Sequence, residues 1–474
     1  MLNKKLLAVA VLGTLAAGNA VASDLSAPGG AIPAYFAKEI IATTAAPRTL
    51  TTSASSATQL NWDIGYNFSV DEVRYARVEC SSNLRFGAGT SVSSSDAAAA
   101  SIGAINGLST NVITFSLTSN NAGNLIADSD VLTVSGNHAI TGTDAPVNCT
   151  VGLYDQPSQA QAGGNAGLIA GSSFSGAYLA FVPSYQLTTG STKHVADVEA
   201  DPSFSEFVPD VSTSLTQAWI GWTPAVGVNY GLRDPDGAGS QTAPFRVDGT
   251  PITMADLFAA TTTITATGDF NLVANANGSF TGGALARAWL NGNSNQVTAT
   301  TARFPVGAGA FTSSALYVEN AFGHLIAESE YHLTLNPVAA NPTVYAVTPI
   351  SNVFAGEIVR NGTQLQAPLA QVPSGWLSRL ALTNTGSTAR PYTIAVQGET
   401  GNTISTSNLT GTVPANGTTV IDLTTVLTGF TASPRATLNV TVAGPNNQIQ
   451  GLYQIVNPDK GSISNHVLVR PGSN

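Results

Sequence analysis

The sequence predicts an all-β protein built of tandem antiparallel β-sandwich domains. Three observations predict it. The polar residues are mostly Thr, Ser, Asn and Gln, with 46 Gly, 24 Pro and only 10% charged residues, which is strand-and-turn chemistry. Short apolar or alternating runs recur between Gly, Asn, Asp and Ser clusters, and no long amphipathic helical pattern interrupts them. From residue 376 onward about seven such runs fall within about 100 residues, the density of an immunoglobulin-like sandwich.

Residues 1–22 read as a secretory leader. Lys4 and Lys5 precede an apolar run over 6–17, and Ala20-Val21-Ala22 supplies a small-residue cleavage site. Cleavage is expected after Ala22, leaving Ser23 rather than a lipoprotein cysteine at the new N-terminus. A spanning helix takes about 20 apolar residues, so no transmembrane segment is expected after cleavage. The chain is therefore expected to be exported, to the extracellular space or the outer surface of a bacterium.

Residues 23–233 read as an N-terminal β-rich domain. Strands are expected at 73–79, 112–118, 131–135, 147–154, 176–187 and 218–222, and an alanine run suggests a short helix within 94–105. Cys80 and Cys149 are the only cysteines, and in an exported chain an even pair reads as one disulfide; two buried thiols are the alternative. Residues 234–260 shift toward Gly, Pro, Asp and Gln and read as a linker, with one helical turn at 254–260.

A middle β-sandwich is expected over 261–369, with strands at 261–267, 270–274, 284–290, 315–319, 329–335 and 343–348. The C-terminal immunoglobulin-like sandwich is expected over 370–474. Its strands at 377–383, 392–396, 418–423, 438–442, 449–455 and 467–469 are separated by N-T-G-S, P-A-N-G, G-P-N-N and N-P-D-K-G turns.

Charge excludes some partners. Losing Lys4 and Lys5 takes the formal charge from −10 to −12 and leaves only Lys38, Lys193 and Lys460 as lysines. No basic stripe exists to displace the counterions of a nucleic acid. The G-x-S-x-G, H-E-x-x-H, P-loop and C-x-x-C motifs are all absent. No catalytic residue is assigned, and no cofactor is required.

Two constellations suit a metal. Glu328, Glu330 and His332 share strand parity with His324, so two carboxylates and an imidazole would face one side. The simpler reading is the solvated face of a half-buried strand. Asp234 and Asp236 stand two apart before a glycine, as hard oxygen ligands for Ca²⁺ do, although a plain Asp/Gly turn explains them too. The carboxylates Asp197, Glu199, Asp201, Glu206 and Asp210 read as a solvated acidic loop. N-x-S/T sequons stand at Asn67, Asn148, Asn277, Asn361, Asn408, Asn416 and Asn439.

The composition resembles that of bacterial surface-layer proteins, specifically secreted proteobacterial ones. The matching stretches are T-I-T-A-T-G-D-F at 263–270, L-A-L-T-N-T-G-S-T-A at 380–389, V-P-A-N-G-T-T-V at 413–420 and N-P-D-K-G at 457–461. The resemblance implies self-assembly into a lattice or matrix, held to lipopolysaccharide and often dependent on Ca²⁺. Recognisable cell-wall anchoring repeats and G-G-x-G-x-D repeats are absent, so the anchoring mode stays open. A non-enzymatic surface structural protein is thus the leading expectation. An adhesin or carbohydrate-binding protein using Trp219, Trp222, Trp289 and Trp376 as sugar platforms is the alternative, though such indoles are more often core anchors. An extracellular hydrolase is the second alternative.

Overall fold

The computed structural model describes residues 22–51, 56–120, 123–198, 200–202, 204–209, 215–223, 227–237, 241, 243–291, 296–398, 404–428 and 435–470. The expected leader, except Ala22, lies outside them, as do Glu199 and Asp210.

Short strands stack into three β units. In the first, a six-stranded sheet runs in the order Ala34–Ala37, Phe174–Val182, Val147–Tyr154, Val73–Cys80, Val112–Ser119 and Ala100–Ile102. A four-stranded sheet containing Gln59–Asp63 and Val131–Ser135 packs its inner side chains against it. Alternation decides which side is inner: Ile113, Phe115 and Leu117 are buried from one sheet, Leu60 and Trp62 from the other. Ser23, the expected mature N-terminus, is already part of this packing. Strand Ser23–Asp24 pairs parallel with Gln59–Asp63, and the buried Ser23 hydroxyl donates to Tyr178 O.

The second unit has a six-stranded sheet in the order Thr192–Ala196, Ile350–Arg360, Ser329–Asn336, Thr263–Thr267, Thr301–Pro305 and Gln296–Val297. Two three-stranded sheets accompany it. The third unit is a sandwich of two four-stranded antiparallel sheets. One runs Thr363–Gln371, Arg435–Val442, Arg390–Gly398 and Thr410–Val413; the other runs Gly417–Asp422, Leu377–Asn384, Ile449–Asn457 and Ser462–Val467. It is an immunoglobulin-like build in which Ile449–Asn457 pairs with Leu377–Asn384.

The expected boundaries move. Thr192–Ala196 pairs with Ile350–Arg360, and Gln217–Ile220 pairs with Leu316–Glu319, so 184–233 belongs with the second unit. Thr363–Gln371 pairs with Arg435–Val442, so the third unit starts before 370. Pro368 sits within a register shift of that edge strand, where a missing N–H is tolerated.

The stretch 234–260 is not a linker. Phe245, Ile252, Met254, Leu257 and Phe258 are buried among its turn residues. Phe245 N donates to Tyr35 O, and Phe245 O accepts from Ala37 N, so this strap binds the first unit. Its buried side chains merge the first two units into one contiguous core, while the third keeps its own. Arg246 clamps the strap through Asp248 at 2.7 Å and Asp256 at 3.1 Å. Burial tends to raise both carboxyls, but bonds from Thr250 and Thr253 with the guanidinium outweigh it and hold both low.

Four local expectations also change. In 94–105, Asp96 accepts from Ala98 N and Ala99 N, making a turn that leads into strand Ala100–Ile102 instead of a helix. Asn271–Val273 is a 3-10 turn, with Phe270, Leu272 and Val273 all buried rather than alternating. Residues 284–290 divide into helical turn Gly283–Ala286 and strand Ala288–Leu290. Residues 343–348 are not a strand; they leave a turn set by the Asn341 side chain, which accepts from Thr343.

Candidate functional site

The surface that stands out is the outer face of the C-terminal sandwich. Its sheet alternates as antiparallel strands must: Leu380, Leu382, Ile421, Ile449 and Tyr453 point into the core. Their neighbours point outward and form cross-strand rows. One row is Leu377, Val456 and Ile463. A second is Val420, Ala381, Leu452 and Val467. Between them runs a polar row, Asp422, Arg379, Gln454 and Asn465. Leu377 is 47% exposed, Val420 57%, Ile463 62% and Val467 78%, so these are apolar side chains left in water.

The last strand is delivered by the N-P-D-K-G turn. Asn457 Oδ1 accepts from Asp459 N and Lys460 N, each at 3.1 Å, and Gly461 takes φ +62°. The hairpin then runs out as Ser462–Val467, every residue of which is exposed. Behind it lies a cleft of about 410 Å³, lined by Leu369, Tyr453, His466, Val467 and Val469. The Tyr453 hydroxyl bonds both N and O of Gln371 and so ties the two sheets together at this flank. The final strand expected at 467–469 lies earlier, at Ser462–Val467, and its exposure went unread. The missed signal is the absence of any charge from Ser462 to Val467.

Cys80 and Cys149 form the expected disulfide. They stand directly opposite on neighbouring antiparallel strands, where Ser81 N donates to Asn148 O. That is the non-hydrogen-bonded type of pair, which brings Cα atoms closest, here to 4.0 Å.

The metal candidates are placed apart from one another. On Ser329–Asn336, Glu330 is exposed and His332 half-buried, opposite the buried Tyr331, Leu333 and Leu335. Glu328 accepts from Arg360 N, and the His332 ring packs on Phe354. His324 lies off the strand, with Nε2 near Ala274 O and Asn275 O. Asp234 Oδ1 accepts from Asp236 N and Gly237 N, and Asp236 Oδ2 accepts from Gln241 N, so these carboxylates shape their own turn. Among the described residues no three His, Cys, Asp or Glu side chains are grouped to hold a metal ion.

The indoles divide. Trp219, Tyr317 and Trp289 stand opposite one another across three strands. Trp289 stacks on Tyr317 at 4.9 Å, and Trp219 meets Tyr317 edge-on at 5.1 Å. Burial, with the neighbouring Glu319 carboxylate, pushes the Tyr317 hydroxyl up to about 12. Trp222 is exposed and Trp376 half-buried, both outside this row. Of the acidic loop, Asp197 accepts from the Asn361 side chain at 2.9 Å, which also occupies that sequon's amide.

No family model matches the chain, and no curated protein matches it significantly. Among solved structures it is similar to the major pilin of Corynebacterium diphtheriae, at 10% identity and a TM-score of 0.19 over 66% of this chain and 67% of that one. It is also similar to the C-terminal domain of the AgI/II polypeptide BspA of Streptococcus agalactiae, at 7% identity and a TM-score of 0.16 over 83% of each chain. The pilus backbone of Streptococcus pneumoniae follows, at 9% identity and a TM-score of 0.14 over 86% of this chain and 84% of that one. Scores this low carry no argument about what the chain does.

Proposed function

We propose that this chain is an exported structural protein of a bacterial surface, assembling with copies of itself into a lattice or matrix. The apolar outer face of the C-terminal sandwich carries this reading. Exposed apolar side chains arranged in rows mark an interaction surface rather than scattered surface residues. The expected leader and the scarcity of lysine support it. Lipopolysaccharide or surface glycans are its proposed anchors. The aromatic row is what a sugar-binding reading would use, but its rings are engaged with each other.

Ca²⁺ is proposed to act between copies. The carboxylates near 234 are engaged in their own turn, whereas assembly brings acidic surfaces together. Salt only screens that repulsion, over about 10 Å at 0.1 M; a divalent ion bridging carboxylates adds attraction. Light scattering of the mature protein on a sizing column tests the reading. Species larger than monomer are expected, and more of them in millimolar CaCl₂ than in NaCl of equal ionic strength. An identical response to the two salts removes the calcium proposal, and monomers under every condition remove the self-assembly reading.

A further inference from the structure

The C-terminal sandwich ends on a strand completed on one side only. Ser462–Val467 is the outermost strand of its sheet, and among the described residues no strand pairs with its outer side; just beyond it Val469 turns its N and O to Gln366 of the facing sheet, which ends the open edge at Val467. Leu468 N donates to Gly451 O at 2.9 Å, which sets the parity of the ladder. Even-numbered residues of the strand turn their backbone groups inward, to Ile449–Asn457, and residues 463, 465 and 467 turn theirs outward. Edge strands are ordinarily blocked by Lys, Pro or a bulge; S-I-S-N-H-V has none of these.

We infer that this edge pairs antiparallel with the same strand of a second copy, about a two-fold axis at Asn465. The inference rests on the self-assembly reading and names the surface that would carry it.

Parity and overlap select the register. Only odd-numbered residues offer free backbone groups, so odd must face odd. Full overlap then sets Asn465 opposite Asn465 of the second copy, and Ile463 opposite its Val467. Two four-stranded sheets become one of eight strands.

Side chains favour a second copy as the occupant. The outward-facing residues read apolar, polar, apolar (Ile463, Asn465, Val467) in either direction, so the strand complements itself. In this register the row Leu377, Val456, Ile463 continues into the partner's Val467 and Leu452 row. The polar row meets its own image at Asn465. An uncharged strand is also where two acidic chains can approach with least repulsion.

The mature full-length chain tests this directly. Its two cysteines are bonded to each other, so Asn465→Cys adds the single free thiol. A hydrogen-bonded antiparallel pair sets its Cα atoms about 5.5 Å apart, within disulfide range. Mild oxidation is expected to give a covalent dimer with Asn465→Cys. Thr412→Cys, on the opposite flank, is expected to stay monomeric. Asn465→Pro removes an outward N–H and the exposed bond that Asn465 Oδ1 accepts from Gln454 Nε2 at 2.8 Å, neither of them part of the strand ladder, so it should keep the wild-type circular dichroism and nearly the wild-type melting. It should weaken self-association by at least about tenfold, since two backbone donors are lost per pair. Equal cross-linking at both thiols, or none at 465 while the wild type still assembles, overturns the edge pairing and leaves self-assembly standing. A wild type that never assembles overturns the reading beneath it.

Discussion

His138 shows what this core demands of one residue. It is fully buried, and its Nε2 lies 2.7 Å from the Tyr178 hydroxyl, which is itself buried. Burial pushes the imidazole down to about 4 from its ordinary 6.5, with backbone at Thr58 and Asn137 pulling the other way. Between those two values the unfolded chain binds a proton that the folded chain refuses. Stability therefore rises with pH through that window: it is fully present above about 6.5 and lost as pH falls toward about 4. The shift corresponds to about 3 kcal/mol. Urea melts at pH 7 and pH 4 should show wild type losing about that much more than His138→Gln; equal losses would refute the buried neutral histidine. At this scale the sequence was silent, because nothing local distinguishes His138 from an exposed strand histidine. The disulfide, by contrast, was legible, since two cysteines in a chain expected to be exported leave one pairing.

Among the elements, the strap over 243–258 joins parts of the molecule that the sequence reading kept separate. Phe245 is buried and meets Phe36 at 5.7 Å, while its backbone pairs with Tyr35 and Ala37. Phe245→Ala is expected to cost about 3–5 kcal/mol, because the cavity opens where two units meet. Denaturant melts measure it, and a loss under 1 kcal/mol would return the strap to the status of a linker. The strap was misread because Pro, Gly and Asp mark turns whether or not the residues between them are buried. Strands with strict alternation were readable: Val131–Ser135 and Val112–Ser119 fall where the pattern puts them. The expected 176–187 strand divides at Pro183 into Phe174–Val182 and Tyr185–Thr188. Ile350–Arg360 went unseen; its burial does not alternate cleanly, and its pairing with Ser329–Asn336 shifts register twice.

For the whole molecule, two units share a core and a third keeps its own, joined through contacts such as Arg390 Nη1 to Val198 O at 3.0 Å. The third unit presents the apolar rows and the open edge, while the chain as a whole is acidic. Composition suggests a surface protein only by resemblance. It does not reveal which face would meet a neighbour, because exposure of Ile463 and Val467 depends on which strand ends the sheet. Negative-stain microscopy of the purified mature protein, with and without Ca²⁺, tests the central claim most directly. Ordered sheets, tubes or linear arrays are expected from the wild type, and their loss from Asn465→Pro. Dispersed single particles from the wild type in both conditions would contradict self-assembly.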